Sequence, residues 1–592
     1  MYHVAECLEL GKPFEDWPVK RRPLVAHRYA WIAAGNCWSP VCRPDWFQRD
    51  VVELAAMGFN GVMLVCTPTE GTSIGRQTIP FELTPDGVAV DRSKLAAYRS
   101  MMTWLKSYGL RICLFHQAFV PPGYTREELR EHYDGKRELP GLDEAIVESS
   151  RELAAAMFTH LPEIDSLLFH SLECEWFWGN AVAMLPAEDD AAAERGLDAY
   201  LRGLTRACEE HGKDLLFWTH VSNVSMRQFR LMHRVLERHP AVVVVEDAVW
   251  PNTMWPFAPV MGHVAPALKE SATRGRFCMA VNTTDGEYCG AGALPTAYPD
   301  PHVLAARTAA EVGAEYAFVR LNEQSMTPLG TMQEITAINV IGAGAQWWEP
   351  ARPMERLWHE WCTRRFGAEA APAIVSALQK SGTIIRKGLG AGGEPLMDHN
   401  GLAVYSWVPR RGPNAWTVFA FPGEPLVEKT YDELATGRDC RAWQMDAHGV
   451  ELEDFLRNSA EAGAAARDAL REIESVRTHL APQDAEYLTR CFSDSLLMME
   501  AVRVTAVAAA ASGRCLREGA ERHREEFEKS CAAMEACADR IEAERGMDFQ
   551  SVHWFLKVTV DGKEYAGYGV PVSLRLLAGI YRKTTVEAER SC

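Results

Sequence analysis

Eight short, continuously apolar runs recur through the first 322 residues of this chain: AHRYAWIA (26–33), GVMLVC (61–66), LRICLFH (110–116), SLLFHSL (166–172), DLLFWTHV (214–221), AVVVVED (241–247), RFCMAVN (276–282) and EYAFVRLN (315–322). Each is too short for a helix. Between them lie segments with helical spacing, at 45–57, 94–108, 143–160, 190–211, 226–238 and 302–312. Continuous rather than alternating hydrophobicity predicts strands buried on both faces, as in a parallel sheet covered by helices. Eight such units in about 320 residues match the count and length of a (β/α)8 barrel, here expected over 26–348. An open doubly wound sheet would want a glycine-rich phosphate loop after its first strand, and none is present.

Past Trp348 the pattern changes. Segments 355–380, 454–479, 483–511 and 513–545 are rich in Ala, Glu and Arg at helical spacing, which predicts an α-helical domain over 349–545. Residues 402–422 read as a hairpin. So does 552–562, where alternation ends in the Asp561-Gly562 turn, so 546–592 is expected to be a β-hairpin segment. Residues 1–25 form an N-terminal arm. The chain carries 62 basic and 80 acidic residues, a net charge of −18, which argues against nucleic acid or an anionic membrane as partner. No uncharged apolar stretch of about 18 residues occurs; the nearest, Val502 to Ser512, is alanine-rich and reads as helix. Acids stand where a signal peptide needs a basic segment, and the 16 cysteines include no C-x-x-C pair, so buried reduced thiols in a cytoplasmic protein are expected.

In such a barrel the chemistry sits at the C-terminal ends of the strands. Read there, run three gives His116 and run four gives His170, Glu173, Glu175 and Trp176. Run five gives His220, and run six gives Glu246, Asp247 and then Trp250. Run seven leads into Asn282, Asp285, Glu287 and Tyr288, and run eight ends at Arg320 and Asn322. Acids interleaved with tryptophans suit a sugar, whose C–H faces pack on aromatic rings while carboxylates and amides take its hydroxyls. Cleaving a glycosidic bond needs one carboxylic acid to protonate the leaving oxygen and a second to activate water or attack the anomeric carbon. Acids on strands four, six and seven can face one another across a barrel mouth.

Several segments in order carry a family resemblance: SLLFHSLECEWFWG (166–179), GKDLLFWTHV (212–221), VVVVEDAVWPNTMWPFAP (242–259), VNTTDGEYCGAG (281–292) and INVIGAGAQWWEPARPMERLWHEWCTRRFGAEAA (338–371). Over about 166–380 the chain resembles glycoside hydrolase family 67, the α-glucuronidases of xylan degradation. The resemblance implies that Glu173 is the general acid and that Glu287 helps activate water. It implies inversion of the anomeric centre, and self-association through the helical domain as a homodimer. The family's N-terminal β domain has no room before the first strand here. Its aspartate after strand six aligns near Trp250 and Pro251, so Asp247 or Glu246 would substitute.

The expectation is therefore a glycoside hydrolase acting on a small or oligomeric carbohydrate, a uronic-acid-containing one among the candidates, with no cofactor. Glu173 and Glu287 would do the chemistry, supported by Asp247 or Glu246. His116, His170, Glu175, Trp176, His220, Trp250, Asn282, Asp285, Tyr288, Arg320 and Asn322 would bind substrate, with Arg320 suited to a carboxylate. Three other readings share the barrel: a metal-dependent isomerase or epimerase using His116, His170 and His220 with Asp247 or Glu287; a lyase with a histidine or Tyr288 as base; and a non-catalytic carbohydrate-binding barrel. Trp347 and Trp348 are expected to pack in the core.

Overall fold

A computed structural model describes residues 23–32, 44–64, 80–117, 119–133, 136–170, 190–219, 226–246, 276–282, 290, 292–321, 329–348, 353–391, 394–397, 401, 402, 404, 407, 415–418, 427–430, 452–552, 557–560 and 563–591. Eight parallel strands close into one barrel in chain order: His27–Ile32, Gly61–Leu64, Arg111–Gln117, Ser166–His170, Asp214–Trp218, Val243–Glu246, Phe277–Asn282 and Tyr316–Arg320. These are strands one to eight, and strand eight pairs with strand one from His27↔Tyr316 to Trp31↔Arg320. Each falls inside or within a residue of its apolar run. Helices Pro44–Ala56, Arg92–Ser107, Leu142–His160, Asp190–His211, Met226–Leu236, Pro299–Glu311 and Ala337–Gln346 alternate with them. Two elements are additional to the sequence reading: a hairpin, Phe81–Thr84 with Gly87–Val90, and a short helix, Arg126–Tyr133.

The pleat divides each strand between two cores. Tyr29, Trp31, Met63, Cys113, Phe115, Leu168, Leu216, Trp218, Val243, Val245, Cys278, Ala280, Tyr316 and Phe318 fill the barrel interior. Their neighbours in sequence, such as Ile112, Leu114, Phe169, Phe217 and Val319, pack outward against the helices. This explains why the runs are apolar throughout. It also explains Gly61, which is in register with Tyr29: a Cβ there would lie 2.4 Å from the tyrosine ring. The described free cysteines, Cys113, Cys208, Cys278, Cys362, Cys491, Cys515, Cys531 and Cys537, are all buried. Burial pushes the Cys113 thiol up to about 12.

Trp347 is fully buried and donates from Nε1 to the Ala306 carbonyl at 3.2 Å; the Arg28 guanidinium lies 4.5 Å over the Trp348 ring. Both rings pack away from the strands' C-terminal ends. Behind the barrel come helices Met354–Phe366, Ala371–Leu378, Ser381–Gly388, Leu452–Ser475, Pro482–Glu518 and Ala520–Arg545. The longest, Pro482–Glu518, contains a window apolar enough to cross a membrane, but 78% of that window is buried in the fold, as befits the central helix of a bundle. The expected hairpin at 402–422 is displaced: Ala415–Val418 pairs with Val427–Thr430. The last segment holds the hairpin Lys557–Val560 with Lys563–Ala566. It then continues into a 22-residue helix, Val570–Ser591, absent from the sequence reading, which packs on the two longest helices of the bundle.

Candidate active site

Strand alternation decides which residues can reach the mouth at the C-terminal ends of the strands. Among the described inward side chains toward that end, Trp31, Phe115, Trp218 and Phe318 together form an aromatic floor. Trp31 meets Trp218 edge-on at 4.9 Å between ring centroids, Phe115 at 5.3 Å and Phe318 at 5.8 Å; Trp218 and Phe318 are 5.6 Å apart. Arg320, two residues after Phe318 and so on the same face of strand eight, holds its guanidinium 5.4 Å from the Trp31 ring centroid. A cation over an indole face gains about 0.5–1 kcal/mol at a partly open site. The buried Trp31 Nε1–H has no hydrogen-bond partner among the described residues. None of these four aromatic residues was singled out from sequence, because inside an apolar run they read as ordinary core.

Of the sequence-predicted site residues, Glu246 and Arg320 have described side chains. Arg320 is at the mouth, in register with Trp31 on one side and Asn282 on the other. Glu246 is not. Val243 and Val245 point inward, so Glu246 points outward, fully buried between its strand and helix Met226–Leu236. There it accepts hydrogen bonds from the Thr219 hydroxyl and from His233 Nε2, the latter at 3.1 Å. It fastens a helix to the sheet, and its carboxylate is not among the inward side chains at the mouth. The strand backbones carry His116, His170 and Asn282, whose side chains lie outside the described residues. Glu173, Glu175, Trp176, His220, Asp247, Trp250, Asp285, Glu287, Tyr288 and Asn322 lie outside the described residues. Among the described residues no group of three His, Cys, Asp or Glu side chains gathers as a metal site.

The opposite end of the barrel is polar in another way. Asp214, at the start of strand five, contacts Arg111 at 3.1 Å and Arg276 at 3.0 Å, and accepts from the Tyr316 hydroxyl at 2.7 Å. Arg276 also grips Glu315 with bonds of 2.8 and 2.7 Å, and Asp165 takes both Lys106 Nζ at 2.6 Å and the Ile112 N–H at 2.7 Å. Burial pushes the Asp214 carboxyl up, but the Tyr316 hydroxyl and the two guanidinium groups outweigh it and hold it below the ordinary carboxylate range. His27 also lies at this end, its ring 4.3 Å from that of Tyr316.

No family model matches the chain, and no curated protein matches it. Among solved structures it is similar to a GH138 enzyme targeting pectin rhamnogalacturonan II, with a TM-score of 0.58 and 12% identity over 91% of this chain and 65% of that one. The chain thus spans about two thirds of that enzyme's length. The match shows a shared fold that takes in the barrel and the helices behind it. A glycoside hydrolase family 5 enzyme from Prevotella bryantii B14 is more distantly similar, at a TM-score of 0.36 and 12% identity over 56% of this chain and 100% of that one.

Proposed function

We propose that the protein is a glycoside hydrolase whose substrate lies on the aromatic floor of the barrel mouth. The observation that carries this reading is the Trp31, Trp218, Phe115 and Phe318 platform with Arg320 above it, at the end where such barrels do their chemistry. A sugar's C–H face suits the rings, and the guanidinium suits a carboxylate on that sugar. The likeness to the GH138 enzyme supports the fold of this reading and suggests pectic oligosaccharides as the first substrates to try.

In this mechanism Glu173, three residues beyond strand four, protonates the leaving oxygen. Glu287, five residues beyond strand seven, activates water, with Asp247 as its partner. Asp247 is preferred to Glu246 for this part because the Glu246 carboxylate is already bound on the outer face of strand six. The two glutamates would then stand roughly 6.5–9.5 Å apart and the anomeric centre would invert. The α-glucuronidase specificity rests on the sequence resemblance and on Arg320.

The test is hydrolysis of pectic and glucuronate-bearing oligosaccharides, with the first-formed anomer followed by proton NMR. Glu173→Gln should keep sugar binding and lower turnover by about a hundredfold or more. Wild-type turnover in that variant removes Glu173 from its role, and initial retention of configuration removes Glu287 as base.

A further inference from the structure

The chain segments that follow strands seven and eight at the mouth are tied to each other by the helical domain. Tyr487, early in the long helix Pro482–Glu518, donates its hydroxyl hydrogen to the Gly292 carbonyl at 3.0 Å. The same hydroxyl accepts the Ile335 N–H at 3.2 Å. Gly292 is five residues beyond Glu287 on the way to helix Pro299–Glu311. Ile335 lies between strand eight and helix Ala337–Gln346. One hydroxyl therefore uses its donor on one mouth segment and an acceptor site on the other. Cys491, one helical turn further on, places its sulfur 3.7 Å from the same Gly292 carbonyl.

The surroundings make this a close junction. Gly292 has φ +82°, and a Cβ there would lie 2.2 Å from a carboxylate oxygen of buried Glu334, so only glycine allows the two segments to touch. Asp50 of helix Pro44–Ala56 accepts the Thr331 and Met332 N–H groups at 3.0 and 3.1 Å. Arg365 donates to the Gln333 carbonyl at 3.3 Å and grips Asp484, in the first turn of the long helix, with two bonds of 2.8 Å. The segment after strand eight is thus held from three sides, whereas Gly292 is held from the helical domain by Tyr487 and Cys491.

We infer that Tyr487 is a positioning residue of the active site, through which the helical domain fixes the far end of the segment that carries Glu287. The link to Glu287 rests on the glycosidase reading; the clamp on Gly292 and Ile335 does not. A base displaced by about 1 Å can lose up to a hundredfold in rate while ground-state binding barely changes.

The experiment uses the full chain with Tyr487→Phe, which keeps the ring and removes the bridge. Hydrogen exchange is read on peptides covering 283–298 and 329–336, and kinetics on 4-nitrophenyl glycosides of glucuronic and galacturonic acid in both anomers. The expected result is exchange at least tenfold faster in those two peptides and unchanged in the barrel strands. With it should come a kcat about tenfold lower, KM within twofold, and a displaced acid limb of the pH–rate profile. Arg582→Ala, which breaks ion pairs to Glu528 and Glu535 within the bundle, should lower Tm and leave kcat and both peptides alone. Unchanged exchange in both peptides overturns the clamp. Faster exchange with wild-type kcat and pH profile leaves Tyr487 as packing only and overturns the positioning role. If the wild type cleaves none of these glycosides or the pectic oligosaccharides, the glycosidase reading falls and takes the role toward Glu287 with it, while exchange alone decides the clamp.

Discussion

At the N-terminal end of the barrel, Arg111, Arg276, Asp214, Glu315 and Tyr316 hydrogen-bond to one another, and Asp214 and Arg276 each contact three of the others. At the C-terminal end, Arg320 lies over an indole face, above a floor of four aromatic rings. Both ends belong to the same eight strands, and both bring a guanidinium to the barrel axis. They differ in what surrounds it. The guanidinium groups of Arg111 and Arg276 are matched by carboxylates, whereas that of Arg320 lies against the Trp31 ring at the rim of the aromatic floor. In this barrel architecture, polar residues at the N-terminal face serve stability and those at the C-terminal face serve chemistry.

Asp214→Asn gives the largest effect expected of the closed end. Removing one partner of a largely buried ion-pair cluster costs about 3–5 kcal/mol, and the partial exposure of Asp214 puts the expected loss nearer 2–3 kcal/mol. Chemical denaturation reads it. Turnover per folded molecule should stay at the wild-type value. A variant that keeps its stability but loses turnover would break the division between the ends.

The two ends also answer pH in opposite directions. Asp214 is held below its ordinary range, so its contribution to stability is present above about pH 4 and disappears as pH falls below that. Asp50, which fastens the segment after strand eight, is pushed up to about 7, chiefly by burial and further by nearby Glu334. Its folded form prefers the proton, so its contribution is full below about pH 4 and is lost as pH rises from there through about 7. Stability should therefore decline by about 2–3 kcal/mol between pH 5 and 8, and Asp50→Asn should flatten that decline. An unaltered slope in the variant assigns the decline to other groups.

At the open end, Arg320→Ala should raise KM about tenfold for a uronate-bearing substrate and little for its uncharged counterpart, the scale of one charge-assisted hydrogen-bonded pair. Equal losses on both substrates would mean that Arg320 only shapes the floor.

Much of this contrast was present in the sequence in a form that strand ends alone did not reveal. The eight runs located the strands because burial on both faces leaves a continuous apolar signature. The charged ring was also visible: Arg111, Asp214, Arg276 and Glu315 each stand at or beside the start of a run, where side chains fall at the N-terminal rim. The aromatic floor was hidden, because Trp31 and Trp218 are as apolar as the core residues beside them. Only closure of the barrel brings them together, Trp31 meeting Trp218 edge-on at 4.9 Å. The helix Val570–Ser591 was missed because the hairpin signal before it drew the reading toward strand.

Glu246 is where position along the strand and alternation across it disagree. By position it belongs to the open end, since strand six stops there; by alternation it belongs with the closed, self-satisfied groups, since Val243 and Val245 take the interior. The Thr219 hydroxyl and His233 Nε2 hydrogen-bond to its two carboxylate oxygens in a fully buried layer. Glu246→Gln keeps the shape and one good acceptor, but its amide nitrogen must now face a group that had been donating. The expected cost is about 1 kcal/mol, the smallest in this set, at the lower end of what an unsatisfied buried group costs. Turnover of the folded variant should stay within twofold of wild type. Asp247→Asn, one residue later and the proposed partner of Glu287, should do the reverse, sparing stability and lowering turnover. If instead the Glu246 variant loses turnover at unchanged stability, Glu246 supports the chemistry from the outer layer, and the assignment of Asp247 as the partner of Glu287 falls.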